Sequence, residues 1–222
     1  MSDTDSFIEE VTEEVRRDRL YLLMRRYGWI AVAAVLLIVA GTGWNEWRKA
    51  QDRAMAQSTG DSIIAALEQE TPGEQANALA AIDSVDPEVA AMVDMLAAGV
   101  QADTAPSEAA VLLLQVADNN DVELIYRQIA TLKAVSIPGS GLSIEDRRAR
   151  LDALTLVGGL IRLLAEEQLA YLTVETGDID AAIEMLQQIA ADAEASAGLR
   201  QRTTQVIVAL GGEPIPEPQQ EQ

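Results

Sequence analysis

The sequence predicts an all-α protein, with a single N-terminal transmembrane helix followed by an α-solenoid of antiparallel helix hairpins. Three observations predict it. Gly28 to Trp44 contains no charged residue. From Trp47 to Leu210 apolar residues recur at i, i+3, i+4 and i+7, the spacing of one helix face, and no stretch alternates with the period of two that a half-buried strand needs. Turn signals of a few residues separate these runs, and short connections make neighbouring helices antiparallel. The division this implies is an N-terminal segment 1–26, a membrane span 27–47, a helical domain 48–210 and a disordered tail 211–222 that holds three prolines.

The span comes first. A hydrocarbon core of about 30 Å needs about 20 mostly apolar residues in a helix, and Tyr27 to Trp47 supplies them. Eight aromatic residues occur in the chain, and four of them, Tyr27, Trp29, Trp44 and Trp47, stand at the two ends of the span, where aromatic belts meet the membrane interface. Arg25 and Arg26 precede it directly. A cleaved signal peptide fits less well, because an acidic stretch precedes the run and Val39-Ala40-Gly41 is a poor cleavage site. Arg16, Arg17, Arg19, Arg25 and Arg26 flank one end, against Arg48, Lys49 and Arg53 at the other. That bias places the N-terminus in the cytoplasm and the helical domain outside a bacterial inner membrane.

Charge and composition exclude several classes. The formal net charge is −20, and most of the excess acid follows the span. Nucleic-acid binding needs the opposite sign. Cysteine and histidine are both absent, which removes disulfides, thiolate metal sites and the commonest general base. The reading therefore includes no catalytic residue, no metal, no cofactor and no small-molecule substrate.

The elements follow in order. Ile8, Val11 and Val15 mark a small amphipathic helix before the span. The membrane helix continues outward to about Ser58, and Gly60 is expected to interrupt it before Ile63, Ile64 and Leu67. Thr71-Pro72-Gly73 is a break, and the next helix is expected to reach Val85. Asp86-Pro87-Glu88 is a strong helix start, with a capping Asp and Pro in the first turn. Its apolar face is Val89, Met92, Val93, Leu96 and Val100; the following one is Ala109, Leu112, Leu113, Val116 and Ala117. Asn119-Asn120-Asp121 breaks the chain, with Asp121 as the expected cap of a helix bearing Val122, Ile125, Ile129 and Leu132. Ile137 to Leu142 is irregular, and Ser143 with Asp146 starts a helix that stops near Gly158-Gly159. Leu160 to Thr176 is helical, Gly177-Asp178 turns, and Ile179 to Ala193 forms the cleanest amphipathic helix. Leu199, Thr203, Val206 and Leu210 make the last one.

Leu163 to Asp192 resembles a tetratricopeptide repeat. Leu169-Ala170 and Ala182 occupy its small or packed positions, Gly177-Asp178 its turn and Leu186 its large apolar position. Small residues at 170 and 182 let two helices approach closely. Glu166 stands where the repeat has Trp, and no Pro closes it. The whole layout is similar to the YfgM-like family: SFIEEVTEEVRRDRLYLLMRRYGW, one anchor, the exit WNEWRKAQ and the final ETGDIDAAIEMLQQIAADAEASAGLRQRTTQVIVALGG. Members are ancillary subunits of the SecYEG translocon. The resemblance implies a tetratricopeptide-repeat-like periplasmic domain that contacts emerging exported polypeptides and links them to periplasmic chaperones. In a repeat of this kind Leu164, Glu167, Tyr171, Val174 and Glu175 face a concave groove, with Tyr171 as anchor and the two glutamates making the groove acidic, so that it attracts basic segments.

The main rival is a membrane-tethered scaffold for another envelope assembly, such as cytochrome maturation or outer-membrane biogenesis. An enzyme is poorly supported. Ser140 has no histidine to activate it. Glu166 and Glu167 are adjacent on a helix and face apart. Arg147, Arg148 and Arg150 read as a charged helix face pairing with nearby acids.

Overall fold

The computed structural model describes residues 3–213, with the side chains of 3–24, 27–29, 31, 32 and 35 outside the description. Every regular element among the described residues is a helix. They are α1 (Asp3–Leu67), α2 (Pro72–Ala80), α3 (Pro87–Gln101), α4 (Pro106–Asp118), α5 (Leu124–Ser136), α6 (Ile144–Thr155), α7 (Gly159–Glu175), α8 (Ile179–Ala191) and α9 (Ala197–Ala209). The chain divides into two compact units, Met1–Thr59 and Gly60–Gln222.

The first unit is the long part of α1. Its apolar run is uncovered: Leu36, Leu37, Ile38 and Val39 are 60–74% exposed. Four consecutive positions at 100° each sweep most of the helix circumference, so no one face is turned into a core. Thr42 donates its hydroxyl to the carbonyls of Ile38 and Val39, at 2.9 and 3.0 Å, which satisfies the one polar side chain of that run within the helix. The Trp44 and Trp47 rings are exposed and stack tilted, 5.3 Å between centroids. Six residues of the expected span, Tyr27, Gly28, Trp29, Ala31, Val32 and Val35, lie outside the described side chains, as do those of Ile8, Val11 and Val15. Among the described residues no helix is long and apolar enough to cross a membrane.

Gly60 does not interrupt α1, which runs on to Leu67. One glycine in a helix costs only about 1 kcal/mol. Packing of Ile63, Ala66 and Leu67 against Leu79, Val93 and Ala97 offsets that cost in the second unit. The helix expected to reach Val85 ends instead at Ala80, with Thr71 and Glu74 forming a full capping box at its start. Asp86 caps α3 as expected, accepting from the amides of Glu88 and Val89. Asp121 does not cap α5. Its amide donates to Asn119 Oδ1 within the turn, and α5 begins at Leu124. Ser143 caps α6 by accepting from the Asp146 amide. Gly177 takes φ +88° after α7, and Asp178 caps α8 by accepting from Ala181. This is the turn that the glycine-aspartate pair encodes.

From α2 to α9 each helix packs on its sequence neighbour, and α3 also meets α5 and α5 meets α7. Neighbour-plus-next-neighbour packing is the pattern of stacked hairpins rather than of a closed bundle. It also explains which faces are buried. On α3, Ala91 and Ala98 join α4 and α5, while Val93 and Ala97 join α1 and α2. A helix between two neighbours needs two apolar faces, so small alanines fill positions that a single-stripe reading leaves out. Met92, on the expected stripe, is exposed. Likewise Ile125 is exposed, and α5 buries Gln128, Ala130, Ala134 and Val135.

Candidate functional site

Three helices that alternate in sequence, α3, α5 and α7, line a half-open pocket of about 590 Å³. Ala98, Gly99 and Ala102 come from α3 and its end, Leu132, Lys133 and Ser136 from α5, and Leu164, Glu167, Gln168 and Tyr171 from α7. Leu113, Ile137 and Pro138 complete the apolar floor, and Arg202 of α9 reaches the edge. Small residues create the space. Ala98 and Ala102 lie one turn apart at the end of α3, and a Cβ added at Gly99 would meet no atom within 4 Å. The size falls within the roughly 300–1,000 Å³ of typical ligand sites.

Of the five groove residues read from the sequence, the pocket brings together Leu164, Glu167 and Tyr171. Val174 is half-buried on α7 and does not line it. Glu175 is exposed at the end of α7 and pairs with Arg147 at 2.7 Å, outside the pocket.

The electrostatics differ from expectation. Glu167 is only 2% exposed, yet its carboxylate is fully engaged. Arg202 donates from Nε to Oε1 and from an Nη to Oε2, both at 2.7 Å, and the Tyr171 hydroxyl donates to Oε1 at 2.8 Å. A bidentate guanidinium is the geometry that best compensates a buried carboxylate. Burial first, and the Glu167 carboxylate second, push the Tyr171 phenol up to about 12. The Glu167 network holds the Arg202 guanidinium still more firmly protonated than usual. Glu167 and Glu175 therefore do not make an acidic groove, because each is neutralised by an arginine distant in sequence.

The residues read from the sequence as repeat packing lie on α7, α8 and the turn between them. Ala170, Ala182 and Leu186 are fully buried and Leu169 nearly so. Other charges serve the helix faces. Arg150 chelates Asp118 with two bonds of 3.0 and 3.1 Å, which lowers that carboxyl. Arg162 ties Glu166 to Asp192 and Glu194 at the α8–α9 turn. Glu166 and Glu167 thus face different partners. Ser140 is buried in the loop between α5 and α6, and its Oγ accepts from the Leu142 amide at 3.4 Å. Arg25, Arg26, Trp44 and Trp47 are exposed on α1, while Tyr27 and Trp29 lie outside the described side chains.

Sequence reasoning missed Arg202 and the α3 and α5 walls. One signal for Arg202 exists: no acid lies three or four residues from it, so its partner has to come from another helix. Comparison with protein-family models, curated proteins and solved structures finds no match to the chain.

Proposed function

We propose that this protein is a single-pass inner-membrane adaptor whose periplasmic, tetratricopeptide-repeat-like domain holds segments of other polypeptides. Its N-terminus is cytoplasmic, and it serves as an ancillary subunit of the SecYEG translocon, contacting emerging exported chains and linking them to periplasmic chaperones. The observation that carries the binding reading is the pocket itself: alternate helices of a hairpin stack converge on an apolar hollow that contains the anchor residue Tyr171. The uncovered apolar surface of α1 around Leu36 to Val39, with Thr42 satisfied internally, supports the anchor, since lipid demands that every polar group find a partner within the segment. The translocon assignment rests on the YfgM-like layout of the sequence.

A photo-crosslinker in place of Tyr171, in cells, tests both levels. The reading expects adducts with exported polypeptides or a translocon subunit, and co-purification with SecYEG in mild detergent. Adducts confined to a different envelope assembly transfer the function to a tethered scaffold. Absence of any adduct from Tyr171 while the protein is folded and abundant removes the binding role.

A further inference from the structure

We infer that the pocket selects an uncharged apolar polypeptide segment and rejects one with a charge at its centre. This rests on the polypeptide-binding reading above and specifies its ligand. Four charged residues line the pocket, Asp103, Lys133, Glu167 and Arg202, and they balance to zero. The surrounding unit is far from neutral: residues 60–222 hold 27 acidic and 8 basic side chains. The pocket is thus a neutral island in an acidic domain. Its one buried charge, Glu167, already receives three hydrogen bonds, and no buried side-chain polar atom among the described residues is left without a partner. Asp103 and Lys133 are exposed at the rim and solvated. The floor, formed by Ala98, Ala102, Leu113, Ile137 and Leu164, carries no charged side chain of its own, so a charged residue seated against it loses hydration there. Charges beyond the Debye length of roughly 8 Å are screened at physiological salt, so the local balance outweighs the acidity of the whole domain.

The chain contains no cysteine, so Gly99→Cys provides a unique attachment point at the pocket wall for an environment-sensitive dye. Gly73→Cys, also in open space, provides a control away from the pocket. The full chain in lipid nanodiscs is titrated with three peptides of equal length: Leu/Val/Ala only, the same with a central Lys, and the same with a central Asp. The dye at 99 but not at 73 is expected to respond to the uncharged peptide. Each charged peptide is expected to bind at least about tenfold more weakly. Affinity for the uncharged peptide is expected to change less than about twofold between low and high salt. Gly99→Trp, which places an indole on the pocket wall at a position where a Cβ meets no atom, is expected to abolish binding of a labelled uncharged peptide. A Lys or Asp peptide that binds as well as the uncharged one overturns the charge selection and leaves polypeptide capture standing. No response to any peptide overturns both.

Discussion

Replacing Arg202 with Met isolates the contribution of the Glu167 network. The substitution keeps an apolar stem on α9 and removes two charge-assisted hydrogen bonds of 2.7 Å from a carboxylate that is 2% exposed. Breaking a buried ion pair by deleting one partner typically costs about 3–5 kcal/mol, because the remaining charge is stranded. Two features reduce that here. The Arg202 side chain is 50% exposed, so water enters where the guanidinium stood, and Tyr171 still donates to Oε1. The expected loss is therefore about 2–3 kcal/mol, below the fully buried range. For a unit of this size that corresponds to a fall in Tm of roughly 4–12 °C. Thermal and urea unfolding followed by circular dichroism measure it. The double variant Glu167→Leu/Arg202→Met leaves no stranded charge and is expected to be more stable than Arg202→Met alone. A loss under about 1 kcal/mol for the single variant, or a double variant that loses the sum of the two single effects, refutes the account of Glu167 as a buried charge held by Arg202.

Further outcomes follow from the same structure. Tyr171 has a folded-state pKa raised to about 12, above its unfolded value near 10, so its contribution is present below pH 10 and is lost as pH rises through about 12. Tyr171→Phe is expected to blunt the alkaline fall in stability over that window, and an unchanged profile contradicts a phenol held protonated by burial and by Glu167. Asp94 is raised by desolvation, with no ion pair among the described residues to offset it, so Asp94→Asn is expected to raise Tm at pH 7 but not at pH 3, where both states bind the proton. Asp118 is lowered by Arg150, so its contribution is present above the unfolded pKa and is lost as pH falls through the folded one; Arg150→Gln is expected to lower Tm at pH 7 but not at pH 2. Gly177→Ala forces φ +88° on a residue with a Cβ and is expected to destabilise by about 1–2 kcal/mol in urea unfolding, whereas the same change at Gly99 is neutral or stabilising.

The helical class and most helix ends were legible because they depend on local chemistry. Asp86-Pro87, Ser143 with Asp146 and Gly177-Asp178 each satisfy helix-end groups with their own atoms, and each stands where it was expected. Tertiary context decided the exceptions. Gly60 is carried through α1 by packing of Ala66 on Leu79, and Asp121 yields its amide to Asn119 within the turn. The buried faces of α3 and α5 were misjudged because a single stripe of large apolar residues describes a helix with one neighbour, while these have two and bury alanines. Three of the five residues read as one helix face, Leu164, Glu167 and Tyr171, line the pocket together, because spacing of three and four fixes one face of one helix. The pocket's opposite walls and its charge state were not legible, since Ala98, Lys133 and Arg202 reach it through packing between helices far apart in sequence.

The proposed function requires α1 to anchor the chain with the helical unit outside the membrane. Single cysteines in a chain that otherwise has none test it directly. In intact cells from which the outer membrane is no barrier, a membrane-impermeant maleimide is applied to Gly73→Cys and, separately, to Ser6→Cys. The account predicts labelling at 73 at once, labelling at 6 only after the inner membrane is permeabilised, and both proteins in the alkali-resistant membrane pellet. Labelling at 6 but not at 73 in intact cells, or release of the protein from the pellet, contradicts it.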